Sequence, residues 1–440
     1  MGVLADRRRA LRAAVGGFAL VVAVVVPGAA SAAGCGLLGL QACPKPPVPA
    51  APDPGGDENA AVPVPAPGKL VGFSSNLSAG ADSRLSPAEE YDLAAAAGAN
   101  AARIDVFWSF MEPSPPKGGV HAYSGADHLD GYADSIDARY GAMLARGIRP
   151  ILILHSAPPW AQYQGTLLQP GACSKDCWHE VEPRSDRIPD WEAFARFMAQ
   201  RYPEAAFEIW SEPNLTLHYR PKPNPGNYLR LYLTAYRAIK AVNPSADVLS
   251  GGIAAVSAPK PEKGISLREF LGALYARGLK TSAPDFQLSV HAYPASDSLG
   301  AGSRFATQWD GIVDTMQAAQ DMGRRIWVTE TGISTSPVGD QGNPHGPQGL
   351  VATKAQQLDV VRRSYARMMT MDSVGDPARR RDVHAVLFHT LKENHNFATS
   401  QVPYGYGFLM EKPWLVAKPA YCWMVNAVPP GAAARTYPGC

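Results

Sequence analysis

The chain has 440 residues, 46% of them hydrophobic and 18% charged, and a formal net charge of +2 at pH 7. This near neutrality excludes the basic excess that is typical of nucleic-acid-binding proteins, so we expect no nucleic-acid partner. The 41 glycines and 40 prolines follow no collagen-like period. The 17 tyrosines, 13 phenylalanines and nine tryptophans are enough for a buried core, which excludes general disorder.

Residues 1–34 have the organisation of a secretory signal peptide of bacterial type. The Arg7-Arg8-Arg9 run precedes the apolar stretch Ala13–Val26, and Ala30-Ser31-Ala32 is a small-residue cleavage pattern. The apolar stretch is shorter than the roughly 20 residues that span a bilayer. Cys35 follows at the position of a lipoprotein-type cysteine, so a membrane tether through a lipid on this residue is the alternative to free secretion. We therefore expect a secreted or cell-envelope-associated protein.

Residues 35–68 are predicted to be a linker. Nine prolines and no aromatic residue occur between Pro44 and Pro67, a composition that cannot bury a core and favours an extended, semi-rigid chain. The folded body is therefore expected to comprise residues 69–440.

The six cysteines fall into three pairs that are close in sequence: Cys35/Cys43, Cys173/Cys177 and Cys422/Cys440. Pairs of this kind favour disulfides in an oxidising compartment. A zinc site around Cys173 and Cys177 is the alternative, but no second cysteine or histidine pair lies nearby at zinc spacing.

Eight apolar, β-branched segments alternate with amphipathic helical stretches along the body. The predicted strands are Leu70–Leu77, Ala101–Trp108, Pro150–His155, Ala206–Glu212, Asp247–Ile253, Asp285–Tyr293, Arg325–Thr331 and His384–Leu391. Predicted helices include Tyr132–Arg146, Trp191–Arg201, Tyr228–Val242, Phe305–Met322 and Thr353–Met371. Eight strand–helix units predict an α/β fold, a (β/α)8 TIM barrel in one domain. A doubly wound open sheet is the alternative, but no glycine-rich phosphate turn follows the first strand.

The connections that follow the strands are long, whereas several that follow the helices are short. Residues 156–189, 213–226 and 332–351 are the long ones. In a barrel of this kind the ligand binds where strands end and helices begin, so the long loops predict a cleft at that end.

Two glutamates stand at strand ends that face each other across the barrel mouth. Glu212 ends the fourth predicted strand and Glu330 lies near the end of the seventh. Glu330 shares a strand face with Ile326 and Val328, which suit a barrel interior, so it is expected to point into the mouth. A carboxylate pair about 5–5.5 Å apart is the device of a retaining glycosidase. A single such glutamate could instead be an exposed loop residue or part of a structural ion pair.

Short motifs around these glutamates follow one another in a characteristic order over residues 70–421. They are Arg103-Ile-Asp105-Val-Phe-Trp108 with Glu112-Pro113, Gly147-Ile-Arg-Pro-Ile-Leu, Pro158-Pro159-Trp160-Ala161, Trp210-Ser-Glu-Pro-Asn214, His291-Ala-Tyr293, Thr329-Glu330 and Lys418-Pro-Ala420. The ordered set resembles clan A of the glycoside hydrolases, the cellulase-like superfamily, and within it family 39 most and family 5 next. The resemblance implies a retaining glycosidase that acts on an oligosaccharide or polysaccharide with β-linkages.

The resemblance also implies roles for the two glutamates and their neighbours. Glu212 would be the acid/base, whose pKa should be raised by burial or by the partner carboxylate. Glu330 would be the nucleophile, kept ionised, with Arg103 and Tyr293 as donors beside it. For Arg103 the alternative is a structural ion pair with Asp105 or Glu208.

Other residues of the predicted site would bind the sugar. His291 and Tyr293 share one face of the sixth strand, where the alternative is a buried, mutually satisfied pair. By the resemblance, His155 contacts substrate. Trp160 and Trp178 offer flat apolar faces on which sugar rings stack, as do Trp108 and Tyr163, although Trp108 could also belong to the core.

Two positions depart from the pattern of the clan. Ser211 stands where an asparagine usually precedes the acid/base, and Phe388-His389 stand where a tryptophan usually lies under the sugar. His389 is therefore included among the substrate-binding candidates. These departures leave two other functions open, a catalytically impaired carbohydrate-binding barrel and a transglycosylase that uses the same carboxylates. No zinc-protease or phosphate-binding motif is present, so we expect no metal and no cofactor, and we expect a monomer.

Overall fold

The structure is a computed structural model of the 440-residue chain, and it describes residues 68–75, 85–123, 132–162, 180–257, 259–294, 303–335, 352–369, 382–392, 405–410, 416–427 and 440. The predicted signal peptide and all but the last residue of the predicted linker lie outside these residues. So do Tyr163, Trp178 and the Cys35/Cys43 and Cys173/Cys177 pairs.

Eight parallel strands pair in chain order, and the first also pairs with the last, so the sheet closes into a barrel. The strands are β1 (Leu70–Ser75), β2 (Ala101–Phe107), β3 (Arg149–His155), β4 (Ala206–Ser211), β5 (Val248–Ala254), β6 (Leu288–His291), β7 (Ile326–Thr331) and β8 (Val383–His389). The predicted (β/α)8 barrel is confirmed, and each strand lies within a few residues of its predicted position. A small antiparallel pair, β9 (Leu409–Met410) and β10 (Val416–Ala417), follows the barrel.

Helices surround the barrel and connect its strands. They are α1 (Pro87–Ala96), α2 (Trp108–Met111), α3 (Tyr132–Leu144), α4 (Ile188–Arg201), α5 (Pro225–Val242), α6 (Leu267–Ala276), α7 (Leu279–Ser282), α8 (Arg304–Ala318), α9 (Lys354–Met369) and α10 (Pro419–Ala427). Ser86 and Ser266 begin α1 and α6 as capping boxes with Glu89 and Glu269, which satisfies backbone donors at the helix starts. Among the described helices, none is both long enough and apolar enough to cross a membrane.

Two layers of apolar side chains follow from the alternation along the strands. One buried cluster joins residues from six strands inside the barrel: Ala101, Ile151, Ala206, Leu249, Trp327, Ala385 and Leu387. A larger cluster packs the outer faces of the strands against the helices. Ile326 and Val328 belong to this outer cluster, so the expectation that they line the barrel interior is wrong.

Glu330 nevertheless reaches the barrel mouth, for a different reason. The pairing of β7 with β8 shifts register between Val328 and Thr331, and the pairing with β6 shifts at the same level. An irregularity of this kind re-aims the side chains beyond it. It therefore turns Glu330 inward although its even-numbered neighbours point outward.

The barrel closes at the seam between β1 and β8. Lys69 Nζ donates to Asp382 Oδ1 and to the Val383 carbonyl, both at 2.6 Å. Tyr421 on α10 donates to the Leu93 carbonyl on α1 at 2.9 Å. The Cys422–Cys440 disulfide links α10 to the last residue, as predicted. Hydrogen bonds therefore join the first elements of the barrel to the last ones.

Gly72 on β1 is a position where the barrel admits no side chain. A Cβ there would lie 1.7 Å from the Ala101 carbonyl oxygen, which is backbone and cannot rotate away. Gly72→Ala should therefore lower the free energy of unfolding by about 1–3 kcal/mol or more, as measured by denaturant titration. Gly141→Ala on α3, where a Cβ meets nothing within 4 Å, is the control and should be neutral or stabilising. Equal stability of the two variants would contradict the described β1–β2 contact.

Candidate active site

The two predicted catalytic carboxyls meet at the mouth of the barrel. Oxygens of Glu212 and Glu330 and a ring nitrogen of His291 all lie within 4.8 Å of one another. Glu212 directly follows β4, Glu330 is the last residue but one of β7, and His291 is the last residue of β6. A pair of carboxyls at this separation leaves room for one reacting carbon between them, and it is closer than the 6.5–9.5 Å or so that inverting glycosidases need.

Arg103 links Glu330, the nucleophile candidate, to the buried Glu208. Its Nε and Nη2 donate to both oxygens of Glu208, at 3.0 and 2.8 Å, and its Nη1 donates to Glu330 Oε1 at 2.5 Å. Nη1 also donates to Ser74 Oγ at 2.9 Å. The structural ion pair and the contact to Glu330, which the sequence left as alternatives, are both present.

Ser211 lies beside this arginine. Arg103 Nη2 donates to Ser211 Oγ at 3.3 Å, so the serine at the usual asparagine position faces the buried guanidinium.

Tyr293 and His291 complete the contacts of the two carboxyls. Tyr293 donates its hydroxyl proton to Glu330 Oε2 at 2.7 Å. His291 Nδ1 lies 2.9 Å from Glu212 Oε1 and 3.5 Å from Glu330 Oε2. Both residues therefore lie beside Glu330, and His291 bridges the two glutamates rather than pairing with Tyr293.

The backbone around β4 and β5 fixes the direction of Glu212. The Asn214 side chain donates to the carbonyls of Ala254 and Ile265 and accepts from the Ala254 amide, which holds the loop after β4. Trp210 and Glu212 both have positive φ, at 74° and 45°. Such conformations cost about 1–3 kcal/mol for residues other than glycine, so the surrounding contacts must impose them.

Gly252 on β5 makes room for His291. A Cβ at this position would lie 2.0 Å from His291 Nε2. The Gly252 amide also donates to Glu208 Oε1 at 2.8 Å. Gly252 therefore leaves space for His291 and also donates a hydrogen bond to Glu208, the partner of Arg103.

Opposite charges keep Glu330 ionised. Burial alone would raise its pKa, but the positive charges of His291 and Arg103 and the hydroxyl of Tyr293 lower that pKa far below the ordinary value. Burial and the Glu330 charge raise the pKa of Tyr293 well above its usual range, so the tyrosine keeps its proton and remains a donor.

The expected direction of the Glu212 pKa is wrong. Burial raises the pKa and so does the charge of Glu330, but His218 and His291 outweigh them and the pKa of Glu212 is lowered. The pKa of His291 is raised, because the charges of Glu330 and Glu212 outweigh its burial. These two shifts favour an ionised Glu212 beside a protonated His291.

His218 and Glu180 are site residues that sequence reasoning missed. His218 Nε2 lies 3.2 Å from Glu212 Oε2, and its Nδ1 lies 3.9 Å from Glu180 Oε1. Both residues come from the long loops after β3 and β4. The length of these loops was a signal that they carry site residues, but nothing in the sequence indicated which of their side chains turn inward.

His155 and Trp160 lie farther along the mouth. His155 Nε2 is 3.2 Å from Asp105 Oδ1, and its ring packs on Phe107 at 4.5 Å between centroids. Trp160 is half-buried and donates from Nε1 to the Glu112 carbonyl at 3.0 Å. Neither contacts Glu212 or Glu330 in the described contacts, so their sugar-binding roles stay predictions.

Trp108 is core and not a sugar platform. It is fully buried and packs against Trp191 and Phe194, which settles the alternative left open by the sequence.

His389 is buried at the end of β8 and faces the nucleophile side of the mouth. Its ring makes edge contacts with Tyr293 and with Tyr406, at 6.5 and 5.5 Å between centroids. Burial lowers the pKa of His389, which favours the neutral ring. Phe388 packs in the outer core instead. Tyr406, which the sequence analysis did not identify, adds a further aromatic ring beside Tyr293.

Glu212, His291 and Glu330 are also the group that, among the described residues, could supply three ligand atoms to a metal ion. Both oxygens of Glu330 already accept short hydrogen bonds from Arg103 and Tyr293. A guanidinium in contact with a ligand atom opposes a cation there. The donor set thus fits proton chemistry better than metal binding.

The packing of His291 against Gly252 can be tested without an activity assay. Gly252→Ala should displace the His291 ring, because the added Cβ would come within 2.0 Å of Nε2. Away from Glu212 and Glu330, the histidine loses the charges that raise its pKa, so that pKa should fall in an NMR titration of the imidazole. Gly311→Ala on α8, where a Cβ has open space, should leave it unchanged. An unaltered His291 pKa in Gly252→Ala would refute the described packing.

No protein-family model and no curated protein sequence matches this chain. Solved structures do match. A monomeric β-xylosidase from Caulobacter crescentus CB15 is 17% identical with a TM-score of 0.54, covering 83% of this chain and 69% of that one. A GH39 enzyme from Xanthomonas axonopodis pv. citri is 16% identical with a TM-score of 0.52, covering 83% and 67%. A β-glucosidase from Pyrococcus furiosus is 13% identical with a TM-score of 0.50, covering 82% and 95%. The chain therefore has the (β/α)8 barrel fold that these glycosidases share.

Proposed function

We propose that this protein is a retaining glycoside hydrolase that cleaves O-glycosidic bonds of a β-linked glycan by double displacement. The observation that supports this most directly is the placement of Glu212 and Glu330 oxygens within 4.8 Å of each other at the barrel mouth. The fold likeness to enzymes named as β-xylosidase and β-glucosidase supports a β-linked substrate.

In the first step Glu330 would act as the nucleophile. One carboxylate oxygen attacks the anomeric carbon, the bond to the leaving-group oxygen breaks, and Glu212 gives that oxygen its proton. Arg103 and Tyr293 hold the two oxygens of Glu330, which fixes the direction of attack and keeps the carboxylate ionised.

In the second step Glu212 would act as a base. It removes a proton from water, the water oxygen attacks the anomeric carbon, and the bond to Glu330 breaks to release the sugar with retained configuration. The lowered pKa of Glu212 keeps the carboxyl ionised, as this step requires. In the first step, by contrast, Glu212 has to carry a proton, which its lowered pKa opposes.

We also propose that the protein is exported and acts as a monomer outside the cytoplasm, secreted or held at the envelope through Cys35. The signal-peptide pattern of residues 1–34 supports export. The Cys422–Cys440 disulfide fits an oxidising compartment. Fold likeness to a xylosidase described as monomeric supports the oligomeric state.

A panel of aryl β-glycosides and cell-wall polysaccharides tests the activity, with glutamate variants as probes. Glu330→Ala should abolish hydrolysis, because no nucleophile remains. Glu212→Ala should lose about 10²–10⁴-fold in kcat/KM on phenyl glycosides but much less on 2,4-dinitrophenyl glycosides, whose leaving group needs no proton. Product analysis by NMR should show retention of configuration in the wild type.

Glu192→Ala is the matched control. Glu192 is a half-exposed glutamate paired with Arg196 on α4, and its loss should leave the rates unchanged. Unchanged activity in Glu330→Ala would rule out the proposed nucleophile. No activity in the wild type together with tight glycan binding would identify a carbohydrate-binding barrel, and products lengthened by added acceptor sugar would identify a transglycosylase.

A further inference from the structure

Two histidines lie beside Glu212, one near each oxygen. His291 Nδ1 lies 2.9 Å from Oε1, and His218 Nε2 lies 3.2 Å from Oε2. His291 is buried and also faces Glu330, whereas the His218 side chain is 36% exposed. The Oε2 side of Glu212, where His218 lies, is therefore the more exposed of the two sides.

The position of His218 is fixed by its surroundings. Its carbonyl accepts from Trp210 Nε1 at 2.7 Å, and its amide donates to the Leu215 carbonyl at 3.1 Å. Trp210 is buried and directly precedes Ser211 and Glu212. The loop that carries His218 is thus tied to the strand end that carries Glu212.

Glu180 stands behind His218, on the side away from Glu212. Its Oε1 lies 3.9 Å from His218 Nδ1, and its Oε2 lies 3.4 Å from Arg220 Nε. The Arg220 amide also donates to the Glu180 carbonyl at 2.9 Å. Contacts with Arg220 thus place Glu180 on the far side of the His218 ring.

We propose that His218, held by Glu180, is a positioning residue that stores the proton which Glu212 gives to the leaving group. This inference rests on the proposed glycosidase function. In the first step the proton on His218 Nε2 moves to Glu212 Oε2, which leaves a neutral imidazole and a neutral acid, and then passes to the glycosidic oxygen. In the second step Glu212 takes a proton from water and returns it to Nε2.

The electrostatics of the site agree with this cycle. The charged groups that face Glu212 are His218, His291 and Glu330; burial and the Glu330 charge raise its pKa, and the two histidines outweigh them and lower it. The lowered pKa keeps the carboxyl ionised, as the second step requires, but opposes the protonated form that the first step requires. Two coupled groups that share one proton titrate as a pair, so the pair keeps its proton to higher pH than the carboxyl would alone.

His218→Gln tests the proposal through the pH profile of kcat/KM for a phenyl β-glycoside of the sugar that the wild type cleaves. Without the imidazole, Glu212 must hold the proton by itself while still facing His291. The alkaline limb should therefore move to lower pH by about one unit. If His218 acted only through its positive charge, its removal would raise the pKa of Glu212 and move the alkaline limb to higher pH. An unmoved limb or a limb at higher pH would overturn the proposal.

His218→Lys keeps a positive charge that does not give up its proton near neutral pH. It should lower kcat/KM on the phenyl glycoside by about 10²–10⁴-fold and change the rate on the 2,4-dinitrophenyl glycoside only a few-fold. A lysine variant with wild-type rates on both substrates would also overturn the proposal.

Glu180→Gln is a second variant that leaves His218 in place. It should move the alkaline limb to lower pH in the same sense, because it removes the acidic group on the far side of the His218 ring. With His218→Gln already present it should add nothing, since coupled residues are not additive. A further shift in the double variant would contradict the path through His218.

His121→Gln is the matched control. This histidine pairs with Glu112 and Asp190, so its loss should leave the pH profile unchanged, and thermal unfolding verifies that each variant is folded. The two proposals can fail separately. If hydrolysis is lost only in the Glu330 and Glu212 variants and the alkaline limb of His218→Gln does not move, the glycosidase function stands and the role of His218 in storing the proton is rejected. An inactive wild type would reject the function itself.

Discussion

The site depends on one buried cation, the guanidinium of Arg103. A charge removed from water is tolerated only when it is paired and fully hydrogen-bonded, and Arg103 achieves this with a fork to Glu208, a bond to Ser74 and a bond to Glu330. These partners come from β1, β4 and β7. The charge pairing that keeps the nucleophile candidate ionised therefore also ties three strands together across the inside of the barrel, which couples the reactivity of the site to the integrity of its fold.

The other carboxyl of the site, Glu212, lies beside two histidines instead of an arginine. Glu330 has permanent donors in Arg103 and Tyr293, whereas Glu212 is held by imidazoles, which can gain and lose protons near neutral pH. The two carboxyls are alike in sequence and differ in their partners. Glu330 is kept in its charged form, whereas Glu212 can change its protonation state, as the proposed double displacement requires.

Much of this arrangement could be predicted from the sequence, because strand–helix alternation and two glutamates at strand ends are local patterns with a strong topological consequence. Arg103 and Tyr293 were found because they belong to ordered motifs. The sign of the Glu212 pKa shift was not predictable, since it is set by His218 and His291, which lie on separate elements and meet the carboxyl only in three dimensions. The orientation of Glu330 was correct for the wrong reason, because a register shift within β7 has no signature in a single sequence.

The seam between β1 and β8 has a consequence for the order of events during synthesis. The partner of the first strand is the last one, more than 300 residues later, and Lys69 finds its carboxylate and carbonyl only at Asp382 and Val383. Contacts so distant in sequence are slow to form. The sheet can close only after residues 383–389 have left the ribosome, so the first strand, which pairs with β2 on one side, has an open edge on the other side throughout most of translation. For the proposed export, a chain that has not yet closed its ring can still be threaded through a narrow membrane pore.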